Sequence, residues 1–169
     1  VDDELWASPR PAPKHATAHT SLVVAIGAAF NRGPNRIGGW RILLEPELHF
    51  GRQVLVPDLA GWRHERMSEV PNVKHFTLAP DWICEVLSPS TAADDRADKM
   101  PIYAREGVRH AWLIDPILQT LEVFALDPGG QWMVASVHRA AARVRAAPFD
   151  ALELDLALLD LNMPGSEGP

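Results

Sequence analysis

A chain of 169 residues, 47% of them hydrophobic, can bury one substantial core but not two, and its longest apolar runs, Leu22 to Phe30 and Ala151 to Leu161, are too short or too charged to cross a bilayer. The lone Cys84 excludes an internal disulfide and a cysteine zinc cage, and with no signal-peptide pattern after Val1 it points to a reducing cytoplasm. A net charge of -6 excludes a protein that coats nucleic acid through its overall field, but not one that gathers acids around a divalent cation; Arg139, Arg143 and Arg145 read as a solvated surface.

The prolines at 9, 11 and 13 predict an extended arm over residues 1–14, followed by a single folded domain over 15–162 and a flexible tail over 163–169. Leu22, Val23, Ile26 and Phe30 recur at helical spacing, which predicts a helix from about His15 to Phe30, ended by Asn31 to Asn35. Short apolar runs broken by Gly and Pro then predict strands at Trp40 to Leu44, at Glu47 to Phe50 as its continuation after Pro46, and at Leu59 to Arg63, in an antiparallel meander. Trp82 to Leu87 is apolar except for Glu85 and reads as a central strand. A helix capped by Ser90 or Thr91 should run to Arg105, interrupted at Pro101 and stopped by Gly107. Strands follow at Ala111 to Ile114 and at Thr120 to Leu126, the latter paired with Trp132 to His138 across the turn at residues 127–130. Ala151 to Leu161 is expected to form a short helix. The fold class is α+β.

Glu85 is the residue that most needs a reason. Alternation places it on one strand face with Ile83 and Leu87, where an ionised carboxylate costs several kcal/mol unless it is paired, hydrogen-bonded or bound to a metal. A structural ion pair is the plain alternative to a functional role. Asp58 follows Val54 to Pro57 at a strand junction, where an Asp more often caps a turn; beside Glu85 it would share a hard cation. Lys99, on the helix after the Glu85 strand, can fold back over the strand's end and steady charge on a phosphate, although a lysine on a helix is ordinarily just solvated.

The ordered segments Val56-Pro57-Asp58-Leu59-Ala60-Gly61-Trp62, Glu85-Val86-Leu87-Ser88-Pro89-Ser90-Thr91, Asp95-Arg96, Lys99, Tyr103, Gly107-Val108 and Trp112-Leu113-Ile114-Asp115-Pro116 resemble the Uma2 family of the PD-(D/E)XK nuclease superfamily over residues 1 to 126. The resemblance implies a restriction-endonuclease-like mixed sheet of four or five strands flanked by helices. It further implies Asp58 and Glu85 as metal ligands, Mg2+ as the ion with Mn2+ able to replace it, and Lys99 as the catalytic cation. The superfamily's lysine normally stands two residues after the acid, where this chain has Leu87; Lys99 on the following helix takes its place. Glu45 and Glu47 become candidate extra ligands, with Glu47 preferred. His19 is a candidate neighbour of the site, Tyr103 a support for Lys99, and Asp95 and Asp98 complements to the helix dipole.

The implied activity is metal-dependent hydrolysis of phosphodiester bonds in DNA. The alternatives are a nuclease-fold binding module with a weakened site and a hydrolase of small phosphoesters. Exposed strands with apolar and aromatic residues, at Leu121 to Phe124 and Trp132 to Val137, raise the expectation of a homodimer.

Overall fold

The computed structural model describes residues 13–30, 39–139 and 142–159. Helix α1 (Pro13–Phe30) opens it, with Pro13 at the first helical position, where its missing N–H costs nothing. The helix therefore begins two residues inside the expected arm. The rest of the arm, the stop at 31–35 and the tail lie outside the described residues.

A six-stranded mixed sheet follows, one strand more than the largest expectation. Its strands are β1 (Trp40–Leu44), β4 (Leu59–Arg63), β5 (Trp82–Val86), β6 (His110–Asp115), β7 (Thr120–Leu126) and β8 (Trp132–Arg139), in the spatial order β1-β4-β5-β6-β7-β8. Only the central pair β5 and β6 is parallel, as the crossover helix between them requires. Between β1 and β4 the chain does not meander within this sheet. Strands β2 (Leu48–Phe50) and β3 (Gln53–Leu55) instead pair with each other as a separate hairpin, turned at Gly51, whose φ is +63°.

The inner strands β4, β5 and β6 are buried on both faces. On one face Leu22, Ile26 and Phe30 of α1 pack with Trp40, Leu59, Trp82, Cys84, Val86 and Trp112. Phe149 sits at the centre of this group, with ring centroids 4.8 Å from Trp82, 5.0 Å from Trp40 and 5.6 Å from Trp112. Gly61 makes the packing possible: a Cβ there would meet Ile42 Cδ1 at 2.9 Å and both Trp40 and Trp82 at 3.2 Å. On the other face Ile83 and Leu87 join Trp62, Met100, Tyr103 and Leu113. The predicted alternation along β5 holds, and it sets Glu85 on the second face.

The expected helix after β5 is continuous over 92–105 but not uniform. Helix α2 (Ala92–Asp94) leads into a π-helical segment, Asp95–Lys99, and then into α3 (Met100–Arg105). Pro101 has no N–H for an ordinary α-helical ladder, and the wide turn just before it accommodates that loss. Of the expected helix over 151–161, the described residues 151–159 form instead β10 (Leu154–Asp155), paired with β9 (Arg143–Val144), and a 3-10 turn, Leu156–Leu159. Leu154 and Leu156 are buried with Val144 in the α1 side of the core, and Leu152 is packed against it. Burial at every second residue is satisfied by an extended chain rather than a helix.

Candidate active site

Asp58 and Glu85 meet at the end of the sheet where β4 begins and β5 finishes. The antiparallel register pairs Leu59 with Cys84, so Asp58 stands opposite Glu85. The β4 ladder ends there, and the Val86 N–H donates to Asp58 Oδ2 at 2.6 Å. Proline at 57 interrupts the approach to β4 and leaves Asp58 half-buried at the sheet's rim.

Glu85 is 2% exposed. Its Oε1 accepts a hydrogen bond from the Tyr103 hydroxyl at 2.8 Å and from Lys99 Nζ at 3.2 Å. Lys99 Nζ also lies 2.7 Å from Asp95 Oδ1, and Asp95 is itself buried. Asp95 therefore does more than complement a helix dipole. The third buried acid among the described residues, Asp81, pairs with Arg66 at 2.8 Å and accepts the Arg63 N–H, a structural arrangement at the opposite end of β5. At the Glu85 end, two buried carboxylates share one ammonium.

The electrostatics follow from that imbalance. Burial pushes the Glu85 carboxyl up to about 8; Lys99 and the Tyr103 hydrogen bond act to lower it, while Asp58 and Asp95 raise it further. Burial works against the Lys99 ammonium, but Glu85 and Asp95 outweigh it and hold its pKa above the ordinary lysine value. Burial and the nearby Glu85 push the Tyr103 hydroxyl far above its usual range, so it remains a donor. Burial, Asp58 and Glu85 likewise raise the Cys84 thiol, and it stays neutral.

Two further residues reach Asp58, His19 through its ring and Glu45 through its backbone. His19 Nε2–H donates to the Asp58 carbonyl at 3.1 Å, and the Glu45 N–H donates to the same oxygen at 3.0 Å. One donor atom from each of His19, Glu45 and Asp58 lies within 4.8 Å of the others. Of the two candidate glutamates it is thus Glu45, not the preferred Glu47, that joins Asp58. The reason is conformational: Glu45 has φ +45°, so the two residues do not share a face as they would on a regular strand. A non-glycine residue held there costs of order 1–3 kcal/mol, a kind of strain that clusters at functional sites. Glu47 lies instead with His49 and His75.

A family model described as "Putative restriction endonuclease", Uma2, matches residues 1–158. The chain belongs to the Uma2 family. A solved structure from Anabaena variabilis, described as a putative nuclease belonging to DUF820, superposes with a TM-score of 0.71 at 28% identity, covering 90% of this chain and 84% of that one. No curated protein matches the chain. The fold is the α+β, nuclease-like one that Uma2 membership implied, and the family match extends beyond the residues that first suggested it.

In this Uma2 chain Leu87, at the superfamily's usual lysine position, is buried in the core. The charge beside Glu85 comes instead from Lys99 on the following helix, with Nζ 3.2 Å from Glu85 Oε1. Tyr103 contacts Glu85 directly, where it was expected to support Lys99. Of the late arginines, all exposed, Arg143 lies 3.7 Å from both Glu153 and Asp155, and Arg145 donates to the carbonyls of Asp150 and Ala151. No helix among the described residues is long and apolar enough to cross a membrane.

Proposed function

We propose that the chain is a metal-dependent endonuclease that hydrolyses phosphodiester bonds in DNA, with Asp58 and Glu85 as its acidic pair and Lys99 as its cation. The observation that carries this reading is the convergence of those three residues from three different elements: Asp58 opposite Glu85, and Lys99 Nζ 3.2 Å from Glu85 Oε1. A lysine that merely solvates a helix would have no reason to be drawn between two buried carboxylates.

The donor set suits a hard or borderline divalent ion. Carboxylates from Asp58 and Glu45 with one imidazole from His19 would hold Mg2+ or Mn2+, with Glu85 opposite Asp58 as the fourth candidate ligand. A divalent ion bound there would supply Lewis acidity toward a phosphate oxygen and lower the pKa of a coordinated water. Lys99, cationic and aimed by Glu85 and Asp95, donates to the phosphate oxygen on which charge grows. Tyr103 keeps its proton and fixes the Glu85 carboxylate in one orientation. His19 and Glu45, both bonded to the Asp58 backbone carbonyl, hold the acid at the end of the sheet.

Leu121 and Val123 of the first expected dimer strand are buried in the core, but the β8 edge exposes Met133, Val134 and Val137, each by more than half, which supports a homodimer with two sites for two strands. Single- and double-stranded DNA incubated with the full chain under Mg2+ and Mn2+ tests the activity. Cleavage that needs the ion and disappears in Asp58→Asn and Glu85→Gln is expected. An intact substrate under every divalent ion would overturn the reading and leave a nuclease-fold binding module.

A further inference from the structure

The hairpin beyond Glu45 carries a second set of metal-binding side chains, separate from the acids at the end of the sheet. Glu47 and His49 stand two residues apart on an extended segment and share a face, while Leu48 between them is fully buried. A third donor is fixed by backbone register. The Phe76 N–H donates to the Glu47 carbonyl at 2.8 Å and the His49 N–H to the Phe76 carbonyl at 2.8 Å, a parallel bridge that sets Phe76 beside Leu48. With Leu48 and Phe76 both turned inward, His75 emerges on the outer face next to Glu47 and His49.

The side chains are already gathered. The His49 and His75 rings stack at 3.9 Å with an interplanar angle of 11°, and Glu47 Oε1 lies 2.6 Å from His49 Nε2. One donor atom from each of the three lies within 4.8 Å of the others. Core packing does not explain the cluster, because Glu47 and His75 are exposed and His49 is only half-buried. Two imidazoles and one carboxylate make a donor set suited to borderline transition ions, whereas Mg2+ prefers oxygen ligands and retained waters.

We infer that Glu47, His49 and His75 form a transition-metal site, selective for Zn2+ over Mg2+, which clips the connection over residues 64–81 to the β2–β3 hairpin. The site is independent of the nuclease reading. Three protein ligands leave a fourth position for water. The bound ion ties together two segments whose backbones are joined here by one isolated bridge, so it stabilises the native chain by mass action.

Tag-free full-length protein, stripped with EDTA and dialysed, would be titrated with Zn2+ in competition with a chromophoric chelator, and with Co2+ by visible absorption. The wild type should take up about one equivalent of Zn2+ that excess Mg2+ does not displace, and its unfolding temperature should rise with Zn2+. Losing a direct ligand costs no less than losing an outer-shell partner, so His75→Ala and Glu47→Gln should each weaken Zn2+ binding by at least about tenfold and abolish the thermal shift. Both positions are exposed, so the variants should keep the wild-type circular dichroism. Asp58→Asn should retain the Zn2+ equivalent, which separates this site from the acidic pair. Unchanged Zn2+ binding in both His75→Ala and Glu47→Gln, or its loss in Asp58→Asn, would overturn the assignment.

Discussion

Glu85 lies in an apolar strand at a cost that can be measured by removing its charge. In the metal-free protein its carboxyl titrates at about 8 instead of 4.5, so between those values the folded chain binds more protons than the unfolded one and stability falls as pH rises. From 4.5 to pH 7 is 2.5 pH units, each worth about 1.4 kcal/mol, or about 3 kcal/mol of stability lost at pH 7 relative to acid. Glu85→Gln keeps the shape and the acceptor for Tyr103 but has no such term. Urea unfolding in EDTA should therefore find the variant more stable than the wild type by about 3 kcal/mol at pH 7 and by less than about 1 kcal/mol at pH 5. Added Mn2+ should favour the wild type alone. A wild type equal to or more stable than Glu85→Gln at pH 7 without metal would refute the reasoning, because Lys99 would then offset the buried charge completely and no cation would be needed to explain it.

Two related outcomes follow from the same geometry. Lys99→Met fills similar space without charge; cleavage should fall by about 10²–10³-fold, with Mn2+ affinity retained or increased as a competing cation is lost, and unaltered cleavage would remove Lys99 from the mechanism. Because Glu85 is mostly protonated at pH 7 and would bind an ion ionised, Mn2+ uptake at that pH should release about one proton, seen as a buffer-dependent calorimetric enthalpy that vanishes in Glu85→Gln.

The parts of the fold that were legible in the sequence are those with clear period and punctuation. Strand β5 announced itself by an apolar run, β1 and β4 by runs bounded by Gly and Pro, and Glu85 by being the lone charge in its strand. Residues 151–159 failed because an apolar-rich stretch was read as helical although Leu152, Leu154 and Leu156 alternate, which is a strand pattern. The hairpin β2–β3 is too short for periodicity to show which partner it takes. Choosing Glu45 over Glu47 depended on the sign of one backbone torsion, which residue type does not reveal for a glutamate. In sequence Asp95 reads as a helix-dipole acid, because burial of a first-turn carboxylate depends on where Lys99 and Glu85 arrive in space.

The π-helical segment sets the angular phase of everything that follows it. Four residues of ordinary α-helix overshoot a full turn by about 40°, whereas the same four in a wider turn fall short of one, so alternating the two keeps Asp95, Lys99 and Tyr103 in a nearly straight file facing Glu85. A single-residue deletion within Asp95–Lys99 would let the segment close into ordinary α-helix: four residues at about 100° sweep about 400°, close to what five residues of the wider turn sweep, so α3 would keep its face toward Glu85. The wide turn is thus the place where this helix can carry one residue more or fewer without turning Tyr103 away from Glu85.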